Sequence, residues 1–507
     1  MTNTLYDSLF AHHVGNEAPF LLLDDGKLVS YDAFLKRAAQ IAHVLQNSGV
    51  SPGDRIVVQA PKLADTIALY AASVQTGAVY LPLNTAYTMA ELDYFASDSL
   101  PAVIVCDDKD EAEIKKLADQ YGARLLTLGG ERSSLSRQAD TQPREFETVD
   151  RAPDDLAALL YTSGTTGRSK GAMLSHQNLL TNAQALANLW GITKNDRLVH
   201  ALPIFHTHGL FVAMNTSLVA GSEVRLMEKF DIGMILGELP HSTLLMGVPT
   251  FYTRLLADDG FTKETAANMR LFVSGSAPLL AETHQAFEAR TGHRILERYG
   301  MTETNMNTSN PYTGERRAGT VGMALPGIEV IVTDPETGEQ LPRGAVGMIE
   351  IRGPNVFQGY WQMPEKTAAE LRENGFFITG DLGKYSEDGY LSIVGRSKDL
   401  IITGGYNVYP KEIEDVLNDI DGVLESAVFG VPDNDFGEKI IAALVAEPGV
   451  ELDTDQIAST IRGRLSRFKH PRRYELVQEL PRNTMGKVQK NVLRDQHTKK
   501  EPATAIS

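Results

Sequence analysis

The chain has 507 residues, with 48 Lys and Arg against 65 Asp and Glu, a formal charge of −17. That length exceeds the ~250–300 residues at which one hydrophobic core stops growing, so at least two domains are expected. The acidic balance argues against broad binding to nucleic acid or to an anionic membrane. Cys106 is the one cysteine, which rules out an intrachain disulfide.

Residues 1–150 alternate helix and strand signals. Tyr31 to Leu45 carries apolar residues at amphipathic-helix spacing, and Leu63 to Ser73 also reads as helix. Gly53 to Ala60 and Ala78 to Pro82 read as strands, so a parallel α/β sheet is expected. Cys106 ends the apolar run Ala102-Val-Ile-Val-Cys106, where an inert core thiol is the expectation. Residues 108–150 are polar and weakly periodic, read as a surface helix, a short strand and a loop. The first residues, Met1-Thr-Asn-Thr-Leu-Tyr-Asp7, lack the regions of a signal peptide, and no apolar run approaches ~18 residues. A cytoplasmic protein is the expectation.

Next comes Tyr161-Thr-Ser-Gly-Thr-Thr-Gly-Arg-Ser-Lys-Gly171, after the apolar run Leu156 to Leu160 and ahead of a helix from Gln177. Glycines let the backbone approach a ligand, N–H groups and hydroxyls bond its oxygens, and a lysine supplies charge. Strand, loop and helix in that order predict a phosphate site. The order Ser169-Lys170-Gly171 is not the Gly-Lys-Ser/Thr of a Walker A loop.

Leu198 to Gly209 reads as a strand running into the turn His206-Thr207-His208. A metal reading of the two histidines is weak, because no further His or Cys cluster accompanies them. Strand ends follow near Met227, Gly247 and Ser274; the last opens into a small-residue loop with Ser276 and Ala277. Ile295 to Glu303 then supplies Tyr299, Thr302 and Glu303 within five residues. Residues 331–395 look β-rich, with Asp381 placed just past a strand at Phe377. Gly395-Arg396-Ser397-Lys398-Asp399 is a polar connection, taken as the boundary between a domain of 1–396 and one of 397–507. The second reads as a small α+β unit with helices at 411–417 and 455–468. Its residues 461–500 hold 12 Lys and Arg against 3 Asp and Glu, which suggests a cationic surface for anionic ligands.

Together these stretches resemble the adenylate-forming superfamily of acyl-CoA synthetases, nonribosomal adenylation domains and luciferases. The likeness spans nearly the whole chain and rests on five strings in series: 161–171, Tyr299-Gly-Met-Thr-Glu303, Thr379-Gly-Asp381, Gly395-Arg-Ser-Lys-Asp399 and Pro481-Arg-Asn-Thr-Met-Gly-Lys487. Relatives often carry proline where this chain has Ser169. The resemblance implies an α/β fold: a large N-terminal domain with a β-rich subdomain, and a small mobile α+β C-terminal domain. It implies a two-step reaction in which a carboxylate attacks the α-phosphorus of Mg·ATP and the thiol of coenzyme A then displaces AMP. Thr162, Ser163, Gly164, Thr165, Thr166, Gly167 and Lys170 are expected at the β- and γ-phosphates, and Thr302 at the α-phosphate. Glu303, with Thr162, is expected on Mg²⁺. Tyr299 is expected to stack on adenine, with Ser276, Ala277 and Glu297 along its edge, and Asp381 with Arg396 to hold the ribose. Lys487 is expected to bridge the two reacting anions, Lys398 to be the hinge, and Gly404, Gly405 and Tyr406 to meet coenzyme A. The resemblance also implies a lysine acetyltransferase and deacetylase as partners acting at Lys487.

His206 matches the family's aromatic gate. Arg298 departs from the pattern, since many relatives carry a neutral residue there. A buried guanidinium needs an anion, which points to a second carboxylate on the substrate: malonate or methylmalonate. The bland alternative is a salt bridge from Arg298 to Glu297 or another acid. Thr207, His208, Ser276 and Met306 complete the expected acyl wall. An aryl- or fatty-acyl-CoA ligase and a carrier-loading adenylation protein are the other readings.

Overall fold

The computed structural model describes residues 3–130, 133–162, 169–403, 406–433, 436–483 and 486–500, the last three by backbone alone. Strands over them form four sheets. A six-stranded sheet runs Arg124–Thr127, Val103–Cys106, Arg55–Gln59, Val79–Pro82, Leu156–Thr162, Lys170–Ser175. Its first four strands are parallel, as the strand–helix alternation predicts. Cys106 is fully buried there, and burial pushes its thiol up to about 12.

A nine-stranded sheet supplies the functional face. Its centre is a parallel set: Glu223–Leu226, Arg197–His200, Leu244–Gly247, Leu271–Ser274 and Leu296–Met301. Leu244–Gly247 and Leu271–Ser274 are buried at every position, as a parallel sheet covered on both faces requires. All five carboxyl ends point the same way, which gathers the loops holding His206, Ser276, Thr302 and Glu303 on one side. Ligands of open α/β sheets bind outside those ends.

The β-rich stretch is a four-stranded antiparallel sheet, Glu329–Thr333, Gly347–Arg352, Phe377–Tyr385 and Leu391–Arg396. The fourth sheet draws its five strands from residues 401–476. Its two apolar cores, around Ile413 and around Phe429, contain only residues from 401 onward. The molecule is thus a large N-terminal α/β domain and a small α+β C-terminal one.

Three expectations need correction. The phosphate stretch does not run from strand into helix: a second strand, Lys170–Ser175, pairs antiparallel with Leu156–Thr162 as a hairpin before the helix begins. The helix His176–Leu189 starts at the hairpin's other end, with Ser175 and Asn178 in a capping box. Its dipole is therefore a full strand length from the loop. Asp381 lies inside the nine-residue strand Phe377–Tyr385, whose Gly380 has φ 73°. The helix read over 455–468 ends at Arg464, before a short 3₁₀ turn.

Candidate active site

Arg298 is 2% exposed and lies within the strand Leu296–Met301. Its Nε and Nη2 have no hydrogen-bond partner, and it makes no ion pair among the described residues. Burial pushes it down to about 9. The bland alternative fails on alternation: Glu297 points to the opposite face of the strand, where its carboxylate accepts from the Leu279 backbone N–H. Burial raises Glu297 to about 8. Gly275, just past Ser274, makes room for the guanidinium: a Cβ there would lie 2.5 Å from Arg298 Cζ.

The histidine loop faces this cation. His206 is half-buried, and burial, then Lys487 and Arg298, hold it down to about 3, so its ring is neutral. Its Nδ1 accepts from the His208 backbone N–H at 3.2 Å. His208 is buried and lies 3.2 Å from Ser276 Oγ. Ser276 holds φ 72°, a left-handed conformation unusual for serine. The Thr207 hydroxyl donates to Asn305 at 2.9 Å, and Met306 is 1% exposed. From His208 the chain continues as a π-helical segment to Met214, a geometry frequent at functional sites.

Tyr299 follows Arg298 and turns the other way. Its hydroxyl donates to Asp381 Oδ2 at 2.5 Å, while Arg396 Nε holds Asp381 Oδ1 at 2.6 Å. Tyr299 and Arg396 are thus both held by the Asp381 carboxylate. Thr302 and Glu303 form the turn into the strand Asn305–Ser309. Gly300 permits this turn, since a Cβ there would meet Asn305 O at 2.0 Å. Glu303 is buried, which raises its carboxyl, and its Oε1 lies 3.1 Å from the Tyr360 hydroxyl.

Tyr360 and Glu370 are residues the sequence reading missed. The Tyr360 hydroxyl donates to Glu370 at 2.7 Å, and Lys170 Nζ lies 3.4 Å from Glu370 and 4.1 Å above the Tyr360 ring. Lys170 is therefore oriented by an acid 200 positions away. The Tyr94 hydroxyl donates to the Ser169 carbonyl at 2.6 Å, anchoring the position where relatives carry proline. Thr162 ends its strand half-buried; Ser163, Gly164, Thr165, Thr166, Gly167, Gly404 and Gly405 lie outside the described residues.

Lys487 stands on a tight turn closed by the bridge between Arg482 and Val488. Its backbone N–H donates to Asn483 Oδ1. The turn reaches the large domain, with Gly486 beside Thr250. Lys487 is exposed, with Arg396, Asp381 and Glu303 among the charges that act on its ammonium. Burial and then Arg396 push it down to about 8; Asp381 and Glu303 pull the other way. Lys487, Arg396, Asp381 and Glu303 therefore act on one another in one cleft.

Two family models match the chain: "AMP-binding enzyme" over residues 10–361 and "AMP-binding enzyme C-terminal domain" over 412–487. This chain belongs to the AMP-binding enzymes. It is 34% identical to "Malonate--CoA ligase" of Arabidopsis thaliana, covering 93% of this chain and 85% of the relative. It is 33% identical to "Long-chain-fatty-acid--CoA ligase" of Bacillus subtilis, covering 93% and 91%. MatB of Rhodopseudomonas palustris is 54% identical over 98% of this chain and 99% of that one. The TM-score is 0.96 for its ATP-bound crystal structure and 0.86 for its apo structure. Since one protein gives both scores, the difference lies in arrangement and not in relatedness.

As an AMP-binding enzyme the chain takes ATP. Of the small domain's remaining candidates, Lys398 lies near the cleft charges Arg396, Asp381 and Lys487. Tyr406 is 56% exposed and stacks on Phe468 at 4.6 Å, within its own domain. Lys398 lies in the turn Ser397–Asp399, exposed, with Asp399 paired to Arg494 of the last helix at 2.8 Å. Among the described residues no helix is long and apolar enough to cross a membrane.

Proposed function

We propose that this chain is a malonate–CoA ligase, with methylmalonate as its second substrate. A carboxylate oxygen of the acid attacks the α-phosphorus of ATP and pyrophosphate leaves. The sulfur of coenzyme A then attacks the acyl carbon and AMP leaves. The observation that carries this reading is Arg298, a buried guanidinium with two unpartnered nitrogens facing the gate histidine. Relatives of nearly equal identity carry the names of a malonate and a long-chain-fatty-acid ligase. The buried charge of Arg298 supports the dicarboxylic acid over the fatty one. A fatty or aromatic tail in this pocket would desolvate the cation without pairing it.

In this reading the second carboxylate pairs with Arg298, and neutral His206 flanks the reacting one. Thr207 and Met306 bound the C2 substituent. Lys487 places positive charge where the two anions meet, and Lys170, oriented by Glu370, holds the departing phosphates. Tyr299, Ser276, Ala277, Glu297, Asp381 and Arg396 form the nucleoside site, with Thr302 at the α-phosphate. Glu303, a buried hard-oxygen ligand whose ionised form burial disfavours, suits Mg²⁺, with Thr162 across the cleft. The ion, when bound, neutralises phosphate charge. Lys398 is the hinge of a domain boundary at 396–397. Rotation there withdraws Lys487 and brings residues 404–406 to coenzyme A. Acetylation of Lys487 by an acetyltransferase would remove its charge.

The test is an ATP- and CoA-dependent assay across malonate, methylmalonate, acetate, a fatty acid and an aromatic acid. Malonate is expected to be the preferred acid. Arg298→Ala is expected to lower kcat/KM for malonate on the order of 100-fold or more, the cost of unpairing a buried charge, and to leave acetate within a few-fold. An unchanged malonate value would sink the dicarboxylate reading.

A further inference from the structure

Lys62 has no place in the chemistry above. It is 9% exposed, it makes no ion pair among the described residues, and its Nζ donates to two backbone carbonyls, His200 O and Leu202 O, each at 2.8 Å. Those carbonyls lie at the end of the strand Arg197–His200, where the loop to the gate histidine begins. The far end of the loop is tied as well: the His200 ring Nε2 lies 2.8 Å from Gly209 O. Between the ties the backbone closes on itself, since a Cβ at Gly209 would meet Pro203 O at 2.0 Å. Gly209 and Leu210 both donate to His206 O. The loop is thus a ring of backbone with His206 and Thr207 on its acyl side.

Ordinary packing does not call for a lysine here. An ammonium shielded from water is costly, and an apolar side chain of equal length would fill the space. What lysine alone adds is two or more N–H donors at the end of a long stem, enough to pin both carbonyls even as a neutral amine. Lys62 also comes from the six-stranded sheet, just after the strand Arg55–Gln59, so it links that sheet to the substrate loop of the other.

We infer that Lys62 is a positioning residue: with His200 it cinches the 200–209 loop and so fixes His206 and Thr207 against the acyl substrate. The inference rests on the acyl site proposed above. Losing the cinch would let Thr207 retreat, weakening malonate binding and relaxing discrimination at C2.

Lys62→Met keeps the stem and removes the donors. Steady-state kinetics should show KM for malonate raised about tenfold, as for loss of one or two buried hydrogen bonds, with KM for ATP within about twofold. The ratio of kcat/KM for ethylmalonate over malonate should rise. Unchanged malonate KM and ratio would overturn the inference. So would a lower melting temperature with kcat reduced and neither KM moved, the signature of a purely structural lysine. If Lys62→Met does not fold, the other tie gives the reading. His200→Phe should raise malonate KM and His200→Gln, which keeps a donor, should restore it; equal values in both would count against the cinch. A wild type that does not turn over malonate would sink the proposed function instead, which separates the two failures.

Discussion

Lys487 is the residue whose surroundings make the sharpest kinetic statement. Its ammonium is held down to about 8 by burial and Arg396. The charged form is the one that acts, so it is present below that pH and lost above it. kcat/KM, which reports the free enzyme, should therefore fall above about pH 8 for ATP–pyrophosphate exchange. Thioester formation from supplied malonyl adenylate should lack that falling limb. Lys487→Ala should abolish the exchange and spare the thioester step; normal exchange in that variant would remove Lys487 from the chemistry. The string holding this lysine was legible in the sequence because Gly486 and Asn483 form its turn locally. Glu370 was not, because its partner Lys170 lies 200 positions earlier and an acid on a short helix looks like solvated surface.

At the scale of elements, the strand Leu296–Met301 divides the site. Arg298 points toward the proposed acid site and Tyr299 toward the proposed nucleoside site, because successive side chains point to opposite faces. This is why one short string could be read for both substrates from the sequence. The loop after Leu271–Ser274 was legible only in part. Ser276 and Ala277 were expected along the adenine ring, whereas the neighbouring Gly275 makes room for the guanidinium. Gly275→Ala should displace that group and raise KM for malonate about tenfold or more, with ATP binding largely kept; a fall in ATP affinity alone would point back to the ring. The strand Lys170–Ser175 was missed because Ala172 to Ser175 is too short an apolar run to announce it. Only pairing with Leu156–Thr162 defines it.

At the scale of the whole molecule, the small domain has its own cores yet places Lys487 among large-domain groups. The closer agreement with the ATP-bound relative than with its apo form fits that placement. A single turn at Ser397–Asp399 joins the units. Lys398→Pro, which fixes φ, should slow thioester formation more than adenylation; equal loss in both half-reactions would deny the turn a hinge role. Arg298 has a consequence on this scale too. Unfolding returns its guanidinium to water, so burying it without a partner among the described residues works against the native state. Specificity for a dicarboxylate is then held as forgone thermal stability. Arg298→Met should melt at a higher temperature than the native chain while losing malonate activity, as buried charges replaced by apolar side chains often do. Malonate should raise the melting temperature of the native chain, by mass action on the folded state, and leave that of the variant where it was. A variant that melts lower would mean that the cation is already compensated without substrate.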